Sequence, residues 1–551
     1  MADKVHASEL AKKQKEIGVA EFFAKNRHLL GFDNKVKALM TTIKEAVDNA
    51  LDACEEARIL PEIMVEVTDL GNDKFKIVIE DNGPGIVEKQ IPKIFAKLLY
   101  GSKFHKLGQT RGQQGIGISA CVMYAQLTTG KRTKIISKTG PAEQAHYMEI
   151  KLNTDTNEPD IYNKMTMDWP KNQGTRIELD MEASYQKGSR SIDEYLKQTS
   201  ITNPHATIIY SSPKGDQLIF PRVSNELPVE AKEIKPHPYG VELGFLMDML
   251  KRTETKTLQA FLINEFSKVS TNVAKQICEN ASLLPNTKNN RMSRDMVERL
   301  KDGIIKTKIQ SPSSDCLSPI GAEMLEKGLR KEINAEFYAS VTRPANVYRG
   351  NPFIVEAALA YGGDQKGDAP IRIMRFANRV PLLYQQGACA VTKGIVGTSW
   401  RNYNLQQSKG NLPIGPCTVA VHIASVWVPF TSESKEAIAH YDEILKEIKL
   451  ALQEIGRKLG SYIGKKKRVG SELKKRSFIE KYIPYVSEAL VDLLKLDSSK
   501  VDEVKDKLKI ILENERGKIE DLKFDPNKNK DFDADFASIG KDNNENKEGE
   551  E

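Results

Sequence analysis

Apolar residues recur at helical spacing over residues 34–57, where Leu39, Ile43, Ala46, Ala50 and Ala53 form one stripe at 100° per residue. A more polar helical stretch precedes it at about 8–25. Two β-rich runs follow at 63–70 and 74–80, and in the second Phe75, Ile77 and Ile79 alternate with polar neighbours. A glycine-rich connection leads to an apolar helix over about 117–125, then to strand-like runs at 134–137, 146–152 and 175–179. Elements of both kinds with the helices gathered on one side predict an α+β layer architecture. From about 228 to 312 the pattern turns helical, with segments near 245–250, 257–266, 271–280 and 293–301. A second α/β unit is expected over 313–464, with β-rich runs at 371–377 and 419–428 and a charged helix over about 434–463. The stretch 465–523 reads as basic and helical. Residues 524–551 are poor in apolar side chains and are expected to be a disordered acidic tail.

The length of 551 residues exceeds what one core can serve, so several domains are expected. Hydrophobic residues make up 40% and charged residues 28%, the balance of an ordinary globular protein. No run approaches the ~18 apolar residues of a membrane span, and the first residues hold no apolar signal core. The expectation is a soluble, cytoplasmic protein. Six scattered cysteines lack zinc spacing and read as reduced, buried thiols. The net charge of +7 is modest. Lys465, Lys466, Lys467, Arg468, Lys474, Lys475 and Arg476, however, crowd one short segment.

On the first long helix Glu45, Asp48, Asn49 and Asp52 stand at i, i+3, i+4 and i+7, opposite the apolar stripe. A solvated acidic face is the simple reading. Three like charges with little basic compensation nevertheless suit a face that holds a metal or an activated water. Asp81-Asn82-Gly83-Pro84-Gly85-Ile86 follows the second strand, and its turn chemistry alone could explain it. Gly112-Gln113-Gln114-Gly115-Ile116-Gly117-Ile118-Ser119 places three glycines before an apolar helix, so that bare backbone amides could cradle a phosphate. No GxxxxGK[ST] is present, which excludes a P-loop as the nucleotide site. No GxGxxG follows the first strand, which argues against a dinucleotide fold.

Taken in order, ExxxN on a helix, DxGxG after a strand, GxxGxG before a helix and Gly174-Thr175 ahead of a strand resemble the Bergerat-fold (GHKL) ATPases. The resemblance implies a nucleotide site for ATP and Mg²⁺. Glu45 would be the general base for the attacking water. Asn49 would bind Mg²⁺, which would bridge the phosphates. Asp81 would accept from the adenine amino group with Thr175 in support, and Gly85 would let the backbone approach the base. Ser102, Lys103 and the stretch Gly112, Gln113, Gln114, Gly115, Ile116, Gly117, Ile118 and Ser119 would form lid and phosphate cradle. Asp48 and Asp52 are read equally well as tuning Glu45 or as structural.

Within that superfamily the chain has no phospho-accepting histidine on a preceding dimerisation helix and no acidic cleavage domain of the gyrase kind. Arg375-Phe376-Ala377-Asn378-Arg379-Val380-Pro381-Leu382-Leu383-Tyr384, Thr342-Arg343-Pro344, Gly350-Asn351-Pro352-Phe353-Ile354-Val355-Glu356 and Val428-Pro429-Phe430-Thr431-Ser432-Glu433-Ser434-Lys435-Glu436 look like the transducer domain of topoisomerase VI B subunits. The resemblance covers about residues 8–465. It implies a GHKL ATPase domain with an N-terminal strap at 1–227, a helix–two-turn–helix insertion at 228–312, and an S5-like transducer with a long helix at 313–464. In this family a transducer lysine touches the γ-phosphate. Lys435 is assigned that role by motif position, with Lys409 as the runner-up. The resemblance further implies ATP-dependent self-dimerisation around double-stranded DNA. A separate A subunit that cuts DNA would complete an A2B2 heterotetramer at the nucleoid of an archaeal-type cell. A chaperone-like clamp acting on proteins is the alternative. The basic segment 465–476 suits DNA, the A subunit or a solvated helix equally.

Overall fold

The computed structural model describes residue 14 and residues 17–516, apart from 104–106, 113, 114 and 433. Residues 1–13 of the part expected to carry the N-terminal strap, the predicted site residues Gln113 and Gln114, and the tail 524–551 therefore lie outside the described residues. The described residues are α+β, with two sheets and a helical module between them.

The described part of the first unit opens with α1 (Val19–Lys25) and α2 (Lys35–Glu56). Gly18, inside the helix expected over 8–25, is extended and stands just before α1. Asn34 caps α2, its side chain accepting from the Lys37 amide at 2.9 Å. Eight strands follow: β1 (Glu62–Gly71), β2 (Lys74–Asp81), β3 (Thr133–Lys138), β4 (Ala145–Leu152), β5 (Pro159–Met167), β6 (Gly174–Glu182), β7 (Thr207–Ser211) and β8 (Gln217–Phe220). Their order is β5-β4-β3-β6-β2-β1-β7-β8, antiparallel throughout except for β1 beside β7. Helices α3 (Ile91–Ala96), α4 (Gly117–Thr129) and α5 (Ile192–Thr202) join α2 on one face. There Leu39, Ile43, Val47 and Leu51 of α2 meet Val65, Ile77, Ile79 and Ile177 of the sheet. Each such side chain contributes about 1.5–3 kcal/mol through burial.

The hydrophobic pattern gives no sign of edge strand β5. Ile161, Tyr162 and Met165 remain half exposed there, and a strand with little buried face carries no alternating signal.

The module α6 (Leu243–Arg252), α7 (Leu258–Glu265), α8 (Thr271–Asn280) and α9 (Arg294–Lys306) has its own core around Phe261, Leu262, Ile277 and Leu300. Beyond it, α10 (Ala322–Glu332) precedes β9 (Phe337–Thr342), β10 (Asn346–Tyr348), β11 (Asn351–Tyr361), β12 (Arg372–Ala377), β13 (Val380–Pro381), α11 (Ala390–Val396) and β14 (Cys417–Ser425). The chain then enters α12 (Asp442–Leu493) and turns back into α13 (Val501–Arg516). The sheet order is β10-β11-β14-β12-β13, with β9 also on β11. Strand β11 is buried on both faces, so its alanine-rich run shows no period of two. Helix α12 covers one face through Ile448, Leu452, Ile455 and Leu459. Helix α10 covers the other through Leu325 and Leu329, and meets Ile201 of α5 in the same cluster. The two units thus share an apolar cluster.

Helix α12 starts later than expected, because the described residues of the 429–439 loop form a hairpin-like turn instead of helix. Phe430 bridges Ile438, and the Thr431 amide donates to the Ala437 carbonyl at 2.9 Å. The helix also runs unbroken across residue 464. Among the described residues no helix is long and apolar enough to cross a membrane.

Candidate active site

A cleft of about 1390 Å³ lies between the first sheet, α2, the start of α4 and the loop before α12. Its wall on α2 carries Glu45 and Asn49, which the helical repeat of about 3.6 residues per turn brings to one side. Asn49 is exposed there.

Glu45 meets the start of α4. A β-carbon on Gly117 would stand 1.9 Å from Glu45 Oε2, so only glycine lets the helix terminus come this close. Lys44 Nζ lies 3.7 Å from the other carboxylate oxygen. The backbone amides that open α4 therefore sit beside the carboxylate, which is where a phosphate group would meet both.

Asp81 closes the opposite end. It is the last residue of β2 and pairs with Thr175 of β6. Asp81 Oδ1 accepts from the Gly83 amide at 2.9 Å and the Thr175 amide at 3.3 Å. Oδ2 takes no hydrogen bond among the described residues. Burial raises the carboxyl to about 6, against the two amides, which lower it. Thr175 Oγ1 lies 3.0 Å from Ser137 Oγ, which in turn accepts from the Ile86 amide at 2.8 Å. Gly85 has φ +70°, and a β-carbon there would fall 2.1 Å from the Lys138 carbonyl oxygen. Asn82 clasps the β1 edge, accepting from the Glu62 amide at 2.8 Å and donating to the Leu60 carbonyl at 3.0 Å. A flat slot floored by backbone and ended by a carboxylate acceptor suits a planar base with an exocyclic amino group.

The acidic face of α2 divides in two. Asp48 and Asp52 are buried and turn away from solvent. Asp48 Oδ1 accepts from the Tyr195 hydroxyl at 3.1 Å. Burial raises Asp48 to about 7, with Glu45 and Asp52 adding to the rise and Lys44 and Arg111 opposing it. Asp52 receives Arg111 at 2.6 Å and Lys103 Nζ at 2.5 Å. The basic compensation missing from the helix itself is thus supplied by the loop before α4, more than fifty residues on. Arg111 also makes a two-pronged contact with Glu55 at 2.7 and 2.8 Å and reaches Asn203 Oδ1 at 2.6 Å. Burial would raise the Glu55 carboxyl, but Arg111 and His205 hold it well below the usual carboxylate range. Arg111 stands directly before the glycine run, and nothing in a single sequence marks it as more than another loop cation.

The remaining expected residues fall as follows. Ser102, Lys103, Gly112, Gly115, Ile116, Gly117, Ile118 and Thr175 line the cleft. Lys103 is engaged by Asp52 and Glu56, so its ammonium is turned to carboxylates and not to the cradle. Ser119 is buried off the cleft, its hydroxyl donating to the Ile116 carbonyl at 3.0 Å.

The second unit contributes Lys435, at the tip of the 429–439 loop on the cleft wall. It holds φ +52°, a left-handed conformation that costs a non-glycine residue about 1 kcal/mol or more. Lys409 sits exposed on a turn outside the residues that line the cleft.

Residues 34–182 match the family described as "Histidine kinase-, DNA gyrase B-, and HSP90-like ATPase", and residues 312–475 match "Topoisomerase VI B subunit, transducer". The B subunit of type 2 DNA topoisomerase 6 from Methanococcoides burtonii is 52% identical over 499 residues, covering 90% of this chain and 80% of that protein. Its counterpart from Methanosarcina acetivorans is likewise 52% identical, with the same coverage. The one from Archaeoglobus fulgidus is 46% identical over 493 residues, covering 89% and 82%. A nucleotide-binding ATPase unit joined to this transducer, at such identity across nearly the whole chain, leaves one conclusion: the chain belongs to the topoisomerase VI B subunits, the ATP-driven subunits of type IIB DNA topoisomerases.

Proposed function

We propose that the cleft binds ATP with Mg²⁺ and that its hydrolysis times a clamp on double-stranded DNA. One observation carries this reading: Glu45, Asn49, Asp81 and Lys435, drawn from both units, line a single cleft large enough for a nucleotide. Asp81 Oδ2 accepts from the adenine amino group while Thr175 and Gly85 shape the slot. The amides from Gly112 to Gly117 receive the phosphates. Glu45 takes a proton from the attacking water, and its place beside the start of α4 sets it near the phosphate that reacts. Asn49, exposed on the wall, holds Mg²⁺ through its amide oxygen, and the ion supplies neutralisation of phosphate charge. Lys435 contacts the γ-phosphate and reports its loss to the second sheet.

Two copies close on ATP binding, and a separate A subunit with its own cleavage site cuts the DNA, in an A2B2 assembly in the cytoplasm. Co-purification with a candidate A subunit, followed by ATP-dependent relaxation of supercoiled DNA, tests the reading. Relaxation that survives Glu45→Ala, or ATP turnover indifferent to DNA and stimulated by unfolded protein, would overturn it.

A further inference from the structure

Lys435 and the residue after it behave differently. Lys435 is on the cleft wall, whereas Glu436 is 7% exposed and directed into the seam between the two units. Its Oε1 lies 2.6 Å from Lys37 Nζ, on the first turn of α2, and its Oε2 accepts from Gln385 Nε2 at 2.6 Å. Lys37 is also held by Asp33 at 2.7 Å, and its ammonium stands 5.8 Å above the Tyr384 ring. Burial works against the Lys37 charge, but the carboxylates of Asp33 and Glu436 beside it outweigh that and raise the group above its ordinary value.

The connection matters because of what α2 carries. Lys37 lies eight residues before Glu45 on one continuous helix, so the two stand about 12 Å apart along the axis. A loop seated on Lys37 is thereby registered against the helix that holds Glu45 and Asn49. The base of the loop is fixed within the second unit: Ala437 and Ile438 are fully buried, and the Ala390 amide donates to the Ile438 carbonyl at 2.9 Å. At the tip the Lys435 amide donates to the Ser432 carbonyl at 3.1 Å, and the Ser432 and Ser434 hydroxyls meet at 3.0 Å. Those bonds shape the turn, and the Glu436 carboxylate ties it to the first unit.

A buried ion pair adds little net stability, because desolvation offsets attraction, but losing one partner strands a charge. Such a pair therefore favours one seated arrangement sharply over displaced ones. We propose that Glu436 is the positioning residue of Lys435. It aims the lysine into the cleft by pairing with Lys37 across the two units. Lys435 at φ +52° and Gln385 at φ +50°, on either side of this contact, both hold left-handed conformations. The inference rests on the reading of Lys435 given above.

The test is steady-state ATP turnover by the full chain, comparing Glu436→Gln, Lys37→Met and the exchanged pair Lys37→Glu/Glu436→Lys, each also in a Lys435→Ala background. Thermal melting confirms that each variant is folded. The expected result is a fall in kcat of on the order of 10–100-fold for either single variant with KM for ATP little changed, and substantial recovery in the exchanged pair. In the Lys435→Ala background Glu436→Gln should add nothing, because the group that it positions is gone. An equal further loss in that background would make Glu436 merely structural and overturn the proposal. So would an unchanged kcat in Glu436→Gln and Lys37→Met while Lys435→Ala is impaired. If Lys435→Ala alone leaves kcat unchanged, the underlying reading of Lys435 falls, and the proposal with it.

Discussion

Glu45 Oε2 stands 1.9 Å from where a β-carbon on Gly117 would be, so the carboxylate and the start of α4 occupy complementary space that no side chain at 117 can share. Gly117→Ala must displace the carboxylate or the helix terminus. A shift of about 1 Å at a reacting group can cost 10²-fold in rate. We expect ATP turnover by Gly117→Ala to fall by about that factor while the melting temperature changes little, measured by ATPase assay beside a thermal melt.

Asp81 gives a pH dependence with a definite sign. Its carboxyl titrates near 6, above its ordinary value, because it is buried. The ionised form is the better acceptor for an amino group, so nucleotide affinity should be flat above that pH. It should weaken as pH falls through about 6, by at most ~tenfold per unit for one coupled proton. Asp81→Asn should bind more weakly and lose the slope in an equilibrium titration. For the free protein the sign is opposite. The unfolded carboxyl ionises first, so this group's contribution to stability falls as pH rises from about 4 to 6.

Arg111 is enclosed by Asp52, Glu55 and Asn203. Arg111→Met leaves buried carboxylates without their main partner and should destabilise by about 3–5 kcal/mol in a denaturant titration. Arg111→Lys should recover little, since an ammonium cannot serve three partners in that planar arrangement. Because Glu55 is held well below its usual range, the stability it supplies is present at neutral pH and lost as pH falls below about 4.

Asn378 joins the second sheet to the loop before the glycines. Its Nδ2 donates to the Thr110 carbonyl at 3.0 Å and the Ser425 carbonyl at 2.9 Å, and its Oδ1 accepts from the Ser425 amide at 2.9 Å. It also adopts φ +47°, which asparagine tolerates better than most residues. Asn378→Ala should cost about 1–3 kcal/mol through the stranded partners. Hydrogen exchange should speed up at the amides of 108–112 more than in β11, which this side chain does not touch.

Of the two candidate lysines, Lys435→Ala should slow ATP turnover and Lys409→Ala should leave it near the parent rate, since only Lys435 lines the cleft. Equal effects in the two variants would remove the distinction.

The amphipathic elements α2 and β2 are legible in the sequence, because burial on one face writes itself into the spacing, whereas α4, buried continuously from Ile118 to Ala125, reads as an unbroken apolar run. Edge strand β5 and the fully buried β11 are not legible by period, since one hides too little and the other too much for alternation to appear. The start of α12 is ambiguous because the polar run at 431–436 suits a solvated helix as well as a loop. Phe430–Ile438 pairing decides for the loop.

What the sequence by itself determined is the chemistry available: a base and an amide one turn apart on a helix, an acid ending a strand, glycines before a second helix, and their order along the chain. The tertiary structure alone decided which of four polar residues on α2 face the cleft and which are neutralised. Asp48 and Asp52 are drawn to Tyr195, Arg111 and Lys103, partners from distant segments, which leaves Glu45 and Asn49 on the wall. It also decided that Lys435 reaches that wall and that Glu436 is tied to Lys37. Periodicity reports which side of an element is buried. Only packing brings residues roughly four hundred positions apart to one ion pair.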